Sequence, residues 1–443
     1  MRIAFVAMSG VRAYNPELTA LGLSLPGFVE RGKAIASLPS LGLLTLAALT
    51  DDRFDVDYYE VDDIADFDPL PACDVVALSS YSAQIKDAYA LARRFDAAGV
   101  TTVIGGLHVT ALPEEALRYC DAVVVGEGEP VWPRVLEDAL SGRLAGVYRS
   151  DGLYDLNEAP VPRYELLDPD RYNRLTVQTQ RGCPWRCEFC ASSWMLSPRY
   201  KLKKPSNVAR EIQAMKRVWQ NPFVELADDN TFVAKRRSYD LVEAIGHEGV
   251  QWFTETDVSI AHEPRLLMMM HEAGCREVLI GFETLNPRAL EGLETKRNWK
   301  REQLDGYRAA VETIQEHGIA VNACFILGLD GDGLEVFEQV RQFVSDTNPF
   351  DVQITVLTAF PGTGLLARLV DEERVIERGA WEKCTLFDVN FVPRDMSVEQ
   401  LEAGLVSLAA DIYSQENLDR RRSAFKQQVR RGPREQLAGA GAP

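Results

Sequence analysis

Short apolar runs alternate with helical patterns over the first 150 residues. Most of the runs are apolar, as expected for strands that are covered on both faces. The predicted strands are Ile3–Met8, Asp55–Tyr59, Val75–Leu78, Thr101–Ile104 and Ala122–Val125. The predicted helices are Leu41–Leu49, Ile85–Ala98, Pro113–Tyr119 and Pro130–Ser141. This alternation predicts an α/β domain with a doubly wound, mostly parallel sheet, which binds ligands at the carboxyl ends of its strands.

A second series of strands and helices follows residues 151–175, which contain three prolines and are predicted to be a linker. The predicted strands are Thr176–Gln180, Phe223–Ala227, Gln251–Glu255, Glu277–Ile280, Ala320–Leu327 and Val352–Leu357. The predicted helices are Asn207–Trp219, Ser238–His247, Glu263–Ala273, Lys300–His317 and Leu334–Ser345. Six strand–helix units predict a partial (β/α)6 barrel over residues 176–375, with its site on the loops that follow the strands. Residues 376–431 are predicted to be mostly helical, and residues 432–443 a disordered tail.

Composition and charge exclude several classes of function. A formal net charge of −18 disfavours binding to nucleic acids and to anionic membranes. No apolar run reaches the ~18 residues that a membrane span needs. The apolar start fits a first strand better than a signal peptide. Eight cysteines in 443 residues do not suggest a disulfide framework, so a reducing cytoplasm is the expected location.

Three cysteines stand within eight residues, directly after the first predicted barrel strand. They are Cys183, Cys187 and Cys190, in the sequence Arg-Gly-Cys-Pro-Trp-Arg-Cys-Glu-Phe-Cys. An iron–sulfur cluster usually takes four protein thiolates, so three would leave one iron open to a ligand. The alternatives are a structural zinc site, which needs a fourth Cys or His from elsewhere in the chain, and a disulfide with one remaining thiol.

The Cys-x3-Cys-x2-Cys spacing closely resembles the radical S-adenosylmethionine (SAM) family. The resemblance implies that the three thiolates hold a [4Fe–4S] cluster and that SAM chelates the fourth iron. One electron from the cluster would then cleave SAM to methionine and a 5′-deoxyadenosyl radical. Further similar segments follow barrel strands at Leu226–Asn230, Ile280–Thr284 and Phe360–Thr363.

The N-terminal segments resemble the Rossmann-like cobalamin-binding domain of the B12-dependent radical SAM subclass. They are residues 105–110, 113–117 and 125–129, together with 39–44. The resemblance covers about residues 1–375. It implies that cobalamin contacts Ser79, Ser80, Gly105, Gly106, His108, Gly126, Glu127 and Gly128. The chain lacks the Asp-x-His-x-x-Gly motif that ligates cobalt in many B12 proteins, which is compatible with cobalamin bound without that ligand and also with a domain that binds none.

The family resemblance assigns SAM contacts to Phe189, Asp228, Asp229, Gly281 and Glu283. Asp228 and Asp229 would face the SAM ammonium group, or else cap the next helix. Glu283 would accept hydrogen bonds from the ribose, or else form a surface salt bridge. His108 is expected to touch the edge or tail of the corrin; the alternatives are loop packing and cobalt ligation.

The remaining cysteines and the basic C-terminal segment have simpler interpretations. Cys73, Cys120, Cys275 and Cys384 are expected in the core, whereas Cys324 could face the site. The basic residues of the C-terminal segment form either a solvated helix face or a docking site for a redox partner. They are Arg420, Arg421, Arg422, Lys426, Arg430, Arg431 and Arg434.

The leading functional hypothesis is a cobalamin-dependent radical SAM C-methyltransferase that acts on an unactivated carbon. Ring closure, ring contraction or another oxidative rearrangement with the same cofactors is the first alternative. An iron–sulfur sensor or scaffold with a vestigial cobalamin domain is the second. The expected partners are a small-molecule substrate (a metabolite, a natural-product intermediate or a lipid-like molecule) and an electron donor such as flavodoxin or ferredoxin.

Overall fold

Two six-stranded parallel sheets form the framework of the protein. The computed structural model describes residues 1–9, 13–21, 38–195, 197, 199–295 and 297–432. The strands of the N-terminal sheet are β1 Arg2–Met8, β2 Asp55–Val61, β3 Val75–Ser79, β4 Thr101–Gly105, β5 Ala122–Val125 and β6 Gly146–Arg149. Its helices are α1 Pro16–Ala20, α2 Leu41–Ala48, α3 Ile85–Ala97, α4 Leu107–Ala111, α5 Pro113–Ala116 and α6 Trp132–Leu140.

The strand order of the N-terminal sheet is β2-β1-β3-β4-β5-β6, and every pairing is parallel. Helices α2 and α6 cover one face, and α3 covers the other. The prediction of a doubly wound sheet is therefore confirmed. The strand that the sequence did not indicate is β6, because it is short and only one of its four residues is buried. The order reverses between β1 and β3, which is where a ligand crevice is expected.

The C-terminal sheet has the sequential order β7-β10-β11-β12-β13-β14. The strands from β7 onward are β7 Leu175–Val177, β8 Gln180–Arg181, β9 Lys201–Leu202, β10 Phe223–Leu226, β11 Gln251–Thr256, β12 Cys275–Glu283, β13 Ala320–Leu327 and β14 Asp351–Val356. The helices are α7 Ala191–Met195, α8 Pro205–Val218, α9 Lys235–Gly246, α10 Pro264–Glu272, α11 Trp299–Gln303, α12 Tyr307–Glu316, α13 Glu335–Thr347, α14 Gly364–Asp371, α15 Val398–Ile412 and α16 Gln415–Arg431. Parallel strands in sequential order, connected mainly through helices, are the arrangement of a partial (β/α) barrel. Strands β8 and β9 form a separate antiparallel hairpin.

The segment predicted to be a linker packs between the two sheets. The hydroxyl of Tyr164, a buried residue, donates to the carbonyl of Thr176 over 2.9 Å. The Tyr172 hydroxyl donates to Glu60, at the end of the N-terminal sheet, over 2.6 Å. The segment therefore connects the two sheets by contact as well as by chain.

The C-terminal helices pack on the barrel. The side chains of Ser397 and Gln400 form a capping box at the start of α15. In α16, Gln428 accepts a hydrogen bond from Gln315 over 2.6 Å, and Phe425 contacts Phe350. Because Gln315 and Phe350 precede β13 and β14, the basic helix lies at the amino ends of the barrel strands. The cysteine loop follows a strand and lies at the opposite end.

Several smaller expectations have mixed outcomes. Cys275 and Cys384 are buried as predicted, whereas Cys73 and Cys120 are only partly buried. Of the basic residues in α16, Arg421 is fully buried and the others are exposed. The predicted tail lies outside the described residues from position 433 onward. No helix within the described ranges is long and apolar enough to cross a membrane.

Candidate functional site

The cysteine loop is held between a tight turn and a neighbouring loop. Gly182 precedes it at φ +80°, and a Cβ there would stand 3.1 Å from the Arg199 carbonyl, so the position needs glycine. On its other side, the Glu188 amide donates to the Leu293 carbonyl over 2.9 Å. Cys187 also forms an isolated bridge with Glu294. The loop is therefore fixed by backbone contacts on both sides.

The three thiols are partly buried and act on one another electrostatically. The thiolate form of Cys190 disfavours ionisation of both Cys183 and Cys187. Burial raises the pKa of Cys183 to about 12 and also raises that of Cys187, while the ammonium of Lys300 opposes both shifts. Iron binding would need the thiolate form and would supply the positive charge that favours it.

The arrangement of these thiols bears on the alternative of a zinc site. No group of three His, Cys, Asp or Glu side chains within the described ranges surrounds a single ion position. A zinc ion would need its ligands at roughly 2–2.3 Å from one centre. A cluster takes its thiolates at different irons, so its cysteines stand further apart. Three neighbouring thiols in this loop fit a cluster with one open iron.

Asp228 is occupied by bonds within the fold. Its Oδ1 accepts from the backbone amides of Thr179 and Gln180 over 2.8 and 2.9 Å. Its Oδ2 accepts from the hydroxyls of Thr179 and Thr231 over 2.5 and 2.9 Å. Four bonds and burial leave no free oxygen for a ligand, so the expected SAM contact is not supported. The helix-cap alternative is wrong, because α9 begins at Lys235 and has no side-chain cap.

Asp229 has the free oxygen that Asp228 lacks. Its Oδ1 accepts a hydrogen bond from Ser192, the second residue after Cys190. Its Oδ2 is buried and has no hydrogen-bond partner among the described residues. Asp229 also acts electrostatically on Cys183. A buried, unpartnered carboxylate oxygen beside the thiols fits the ammonium of SAM, which would satisfy it.

Glu283 forms a buried ion pair that the sequence did not indicate. Its Oε1 lies 2.8 Å from Lys300 Nζ, which also donates to the Gly281 carbonyl over 3.0 Å. A Cβ at Gly281 would stand 2.6 Å from that carboxylate oxygen, so glycine makes room for the pair. The alternative of a surface salt bridge is wrong, since both side chains are only 10% exposed. Lys300 acts on the pKa of Cys187 as well and belongs to the site.

The aromatic residues around the cysteine loop shield it. Trp194 donates its indole N–H to the Cys187 carbonyl over 3.0 Å. Trp185 stacks on Trp299 with ring centroids 5.3 Å apart. Phe189 is partly buried and lines an open cleft of about 740 Å³ that also reaches Leu357 at the end of β14. The expected position of Phe189 beside a ligand is compatible with this cleft.

A second cavity, of about 370 Å³, lies at the carboxyl ends of the N-terminal strands. Its walls are mostly apolar, with Trp132 on the N-terminal side, and the structure adds Tyr81, which is 58% exposed. Gly106 has φ +113°, and a Cβ there would stand 3.1 Å from the Ser80 carbonyl. The cavity contains all of the predicted cobalamin residues except His108, namely Ser79, Ser80, Gly105, Gly106, Gly126, Glu127 and Gly128. An apolar crevice bordered by strand-end glycines, at the reversal of strand order, fits a large cofactor.

His108 does not line this cavity, and its expected contact with the corrin stays a prediction. Its ring is 1% exposed, with Nδ1 3.1 Å from Ser82 Oγ and Nε2 3.2 Å from Glu115 Oε1. Its ring also packs edge-on against Trp381 of the C-terminal segment. Burial lowers the pKa of His108, in opposition to Glu115. These contacts favour the packing alternative, and burial favours the neutral ring.

The interior of the barrel carries two further groups with perturbed ionisation. Burial, reinforced by the carboxylate of Glu225, raises the pKa of Glu255 to about 8. Burial also raises the pKa of Cys324, with further contributions from Glu283 and Glu255. Cys324 therefore lies near Glu283 and Glu255. The sequence did not single out Glu255, because its environment is formed by carboxylates on three other strands or loops.

The two cavities and the cysteine loop are parts of one region. Barrel residues Thr176, Arg181, Met195 and Ala227 line the same cavity as Gly106. Arg181 immediately precedes the Gly182 turn of the cysteine loop. The cavity of the N-terminal sheet therefore reaches the segments that flank the cysteine loop on both sides.

Comparison with known families agrees with both halves of this arrangement. Residues 32–136 match the B12 binding domain, and residues 177–344 match the radical SAM superfamily. Residues 363–440 match a domain of unknown function, DUF4070. The chain belongs to the radical SAM enzymes that carry a B12-binding domain, the class whose cofactors are a [4Fe–4S] cluster, SAM and cobalamin.

Named relatives in this class differ in their substrates. The chain is 28% identical over 388 residues to bacteriochlorophyllide d C-12(1)-methyltransferase of Chlorobaculum tepidum, covering 85% of this chain and 83% of the relative. It is 29% identical over 352 residues to the hopanoid C-2 methylase of Rhodopseudomonas palustris, covering 77% and 66%. It is 25% identical over 337 residues to the anaerobic magnesium-protoporphyrin IX monomethyl ester cyclase of Rubrivivax gelatinosus, covering 69% and 58%.

Solved structures share the fold at low identity. The radical SAM methyltransferase TsrM from Kitasatospora setae, with cobalamin and a [4Fe–4S] cluster bound, superposes with a TM-score of 0.64 at 14% identity, covering 94% of this chain and 90% of that one. The cobalamin-dependent radical enzyme OxsB, with aqua-cobalamin and SAM bound, gives a TM-score of 0.64 at 13% identity, covering 97% and 71%. These structures support the fold class and the order of the domains.

Proposed function

We propose that this protein is a cobalamin-dependent radical SAM C-methyltransferase that acts on a small molecule. The observation that carries the proposal is the shared cavity, which joins the strand-end glycines of the N-terminal sheet to the barrel beside the three-cysteine loop. Methyl transfer is favoured over other chemistry because the bacteriochlorophyllide and hopanoid relatives are named as methylating enzymes.

The residues of this chain have separable roles in the proposal. Cys183, Cys187 and Cys190 hold the cluster, and Asp229 accepts the ammonium group of SAM. Lys300 holds Glu283 in a fixed orientation, and Glu283 accepts hydrogen bonds from the ribose hydroxyls of SAM. When bound, the cofactors supply a 5′-deoxyadenosyl radical and a carrier of the methyl group. The protein orients both cofactors and excludes water and oxygen.

The test is anaerobic turnover of the reconstituted enzyme with SAM labelled in its methyl group. We expect one cluster and one cobalamin per chain, 5′-deoxyadenosine under reduction, and label in a substrate that gains the mass of one CH2. The first candidate substrates are tetrapyrroles and hopanoids, because relatives are named for them. Cys183→Ala should lose the cluster, whereas Cys275→Ala, at a buried cysteine outside the loop, should retain it. A wild-type protein that binds no cobalamin and cleaves no SAM would refute the proposal.

A second candidate keeps the cofactors but forms a ring without methyl transfer. The relative from Rubrivivax gelatinosus, named as a cyclase, favours this alternative. The same assay distinguishes the two, because a cyclisation product carries no label from the methyl group. The iron–sulfur sensor or scaffold predicts a cluster with no cleavage of SAM.

The proposed reaction also needs a one-electron donor, for which flavodoxin or ferredoxin in the cytoplasm is our proposal. The basic helix α16 is a poor docking site for it, because this helix lies at the end of the barrel opposite the cysteine loop. Arg422→Glu should therefore leave the rate of cluster reduction by flavodoxin unchanged.

A further inference from the structure

The acidic residues of the loop after β5 bind the segment that leads into the cysteine loop. Arg181 Nη1 lies 3.0 Å from Glu127 Oε1, and Arg181 Nη2 lies 2.7 Å from Glu129 Oε1. Lys201 Nζ lies 2.7 Å from both carboxylate oxygens of Glu127. We call these four residues the ion quartet. In three of its contacts, the two bonded residues are at least 54 positions apart in the sequence.

The ion quartet is closed to solvent and balanced in charge. The side chains of Glu127 and Glu129 are 1% and 7% exposed, and those of Arg181 and Lys201 are 11% exposed. Two cations face two anions, and Gln178 accepts further hydrogen bonds from Arg181. Buried charges that are paired in this way resist separation, because moving any one of them leaves another unpaired.

The position of the ion quartet gives it a role beyond stability. Its two glutamates alternate with Gly126 and Gly128, which line the cavity of the N-terminal sheet. Its two cations face each other across the β8–β9 hairpin, and Arg181 stands two residues before Cys183. The network is therefore a direct and rigid connection between the cavity and the cysteine loop.

We infer that the ion quartet fixes the distance and orientation between cobalamin and the cluster, which makes Arg181 a positioning residue for methyl transfer from SAM to cobalamin. The inference rests on the proposed function. It also reassigns Glu127, which was expected to contact cobalamin, to a link between the two cofactor loops. Misplacing reacting groups by about 1 Å can cost on the order of a hundredfold in rate. Loss of this link should therefore slow methyl transfer from SAM to cobalamin more than it slows the cleavage of SAM at the cluster, because only the first reaction needs cobalamin.

A matched control is available in a second buried ion pair. Lys203 Nζ lies 2.7 Å from Glu211 Oε1, with side chains 5% and 1% exposed. Lys203 follows the same hairpin, but its partner is on α8 of the barrel, and neither side chain bonds to the N-terminal sheet within the described part of the chain. Lys203→Met therefore removes a comparable buried cation without breaking the connection between the cofactor loops.

The experiment compares Arg181→Met, Arg181→Lys, Glu127→Gln and Lys203→Met with the wild-type enzyme, each carrying both cofactors. Two reactions are measured without substrate and with a chemical reductant present: formation of 5′-deoxyadenosine, and transfer of labelled methyl from SAM to the reduced corrinoid, which releases S-adenosylhomocysteine. Arg181→Met should reduce methyl transfer at least about tenfold while retaining most SAM cleavage. Arg181→Lys should recover part of the loss, because it keeps the charge without the two-pronged geometry. Lys203→Met should affect both reactions equally.

A distance measurement gives an independent readout. Pulsed EPR between the reduced cluster and cob(II)alamin should give a wider or shifted distance in Arg181→Met and Glu127→Gln, and the wild-type distance in Lys203→Met. In protein without cofactors, backbone amides 126–129 and 180–183 should exchange faster with solvent in Arg181→Met and Glu127→Gln, but not in Lys203→Met. Glu127→Gln keeps the volume of the side chain and provides the test if Arg181→Met does not fold.

The outcomes separate failure of the inference from failure of the proposed function. If the wild-type enzyme forms neither 5′-deoxyadenosine nor labelled corrinoid, the proposed function fails. If the wild-type enzyme does both, and the distance and the ratio of the two reactions in Arg181→Met and Glu127→Gln equal those of Lys203→Met, the ion quartet only stabilises the fold and the inference is overturned.

Discussion

Two adjacent carboxylates that look equivalent in sequence should behave differently when each is replaced. Asp228 accepts four hydrogen bonds from the fold, whereas Asp229 has one bond to Ser192 and a buried oxygen without a partner among the described residues. Asp228→Asn should therefore mainly reduce stability. Asp229→Asn should mainly reduce the affinity for SAM.

The magnitude of the first effect follows from the atoms involved. The amide of Asn keeps one oxygen for the backbone amides of Thr179 and Gln180, but its NH2 group cannot accept from the two threonine hydroxyls. A hydrogen bond to a charged group contributes about 1.5–3 kcal/mol, so the loss of two should cost about 3–6 kcal/mol. Against a typical free energy of unfolding of about 5–15 kcal/mol, that loss is large.

The second effect concerns the ligand. Asp229→Asn replaces a charge-assisted bond to the SAM ammonium, worth about 1.5–3 kcal/mol, which corresponds to about a ten- to hundredfold weaker Kd. Its stability should change by less than about 1 kcal/mol, because no bond within the fold depends on its second oxygen.

Urea denaturation of the protein without cofactors measures the first effect, and equilibrium dialysis of SAM against the cluster-loaded protein measures the second. Asp228→Asn should retain nearly wild-type affinity in its folded fraction. If Asp228→Asn were as stable as wild type and Asp229→Asn bound SAM normally, the assignment of the two carboxylates would be refuted.

Three other predictions test the remaining parts of the site. The pKa of Glu255 in the native state is about 8, so the native protein holds one proton more than the unfolded chain between about pH 4.5 and 8. The free energy of unfolding should therefore fall as the pH rises through that window, by at most about 1.4 kcal/mol per pH unit. Glu255→Gln should remove this slope in urea denaturation measured at pH 6 and 8, and parallel curves would contradict the assignment. His108→Phe should retain cobalamin, measured by its absorbance, while Gly106→Val should lose it; loss of cobalamin in the His108 variant alone would restore the expected contact. Lys300→Met should lower the free energy of unfolding by about 3–5 kcal/mol, because it leaves Glu283 buried and unpaired. In a double-mutant cycle, the double variant Lys300→Met/Glu283→Gln should recover much of this loss. A double variant no more stable than the single one would contradict the pairing.

The sequence was informative wherever the signal is local. Mostly apolar runs, alternating with helical patterns, identified eleven of the strands, because parallel strands covered on both faces are rich in apolar residues. The short strands β6, β8 and β9 lack such a run. The prediction missed β6 and β9 and merged β8 with β7. The glycines at positions 106, 126 and 182 were visible as loop residues, and their positive φ angles explain why glycine stands there.

The roles of charged residues could not be predicted in the same way. Thr179, which holds Asp228, lies 49 positions before it, and the partner of Glu127 lies 54 positions after it. Lys300 stands 17 residues beyond Glu283 across a loop. A carboxylate in a motif can bind a ligand or satisfy the fold, and only its neighbours in space distinguish the two.

The sequence by itself determined the order of the two α/β domains, the three-cysteine loop and the glycine-rich strand ends, because these depend on residue type and spacing along the chain. The tertiary structure alone decided which carboxylates remain free, that His108 faces away from the cavity, and that the loop after β5 is tied to the cysteine loop. The physical reason is that a buried charge takes its role from whichever opposite charge or hydrogen-bond donor the fold places beside it.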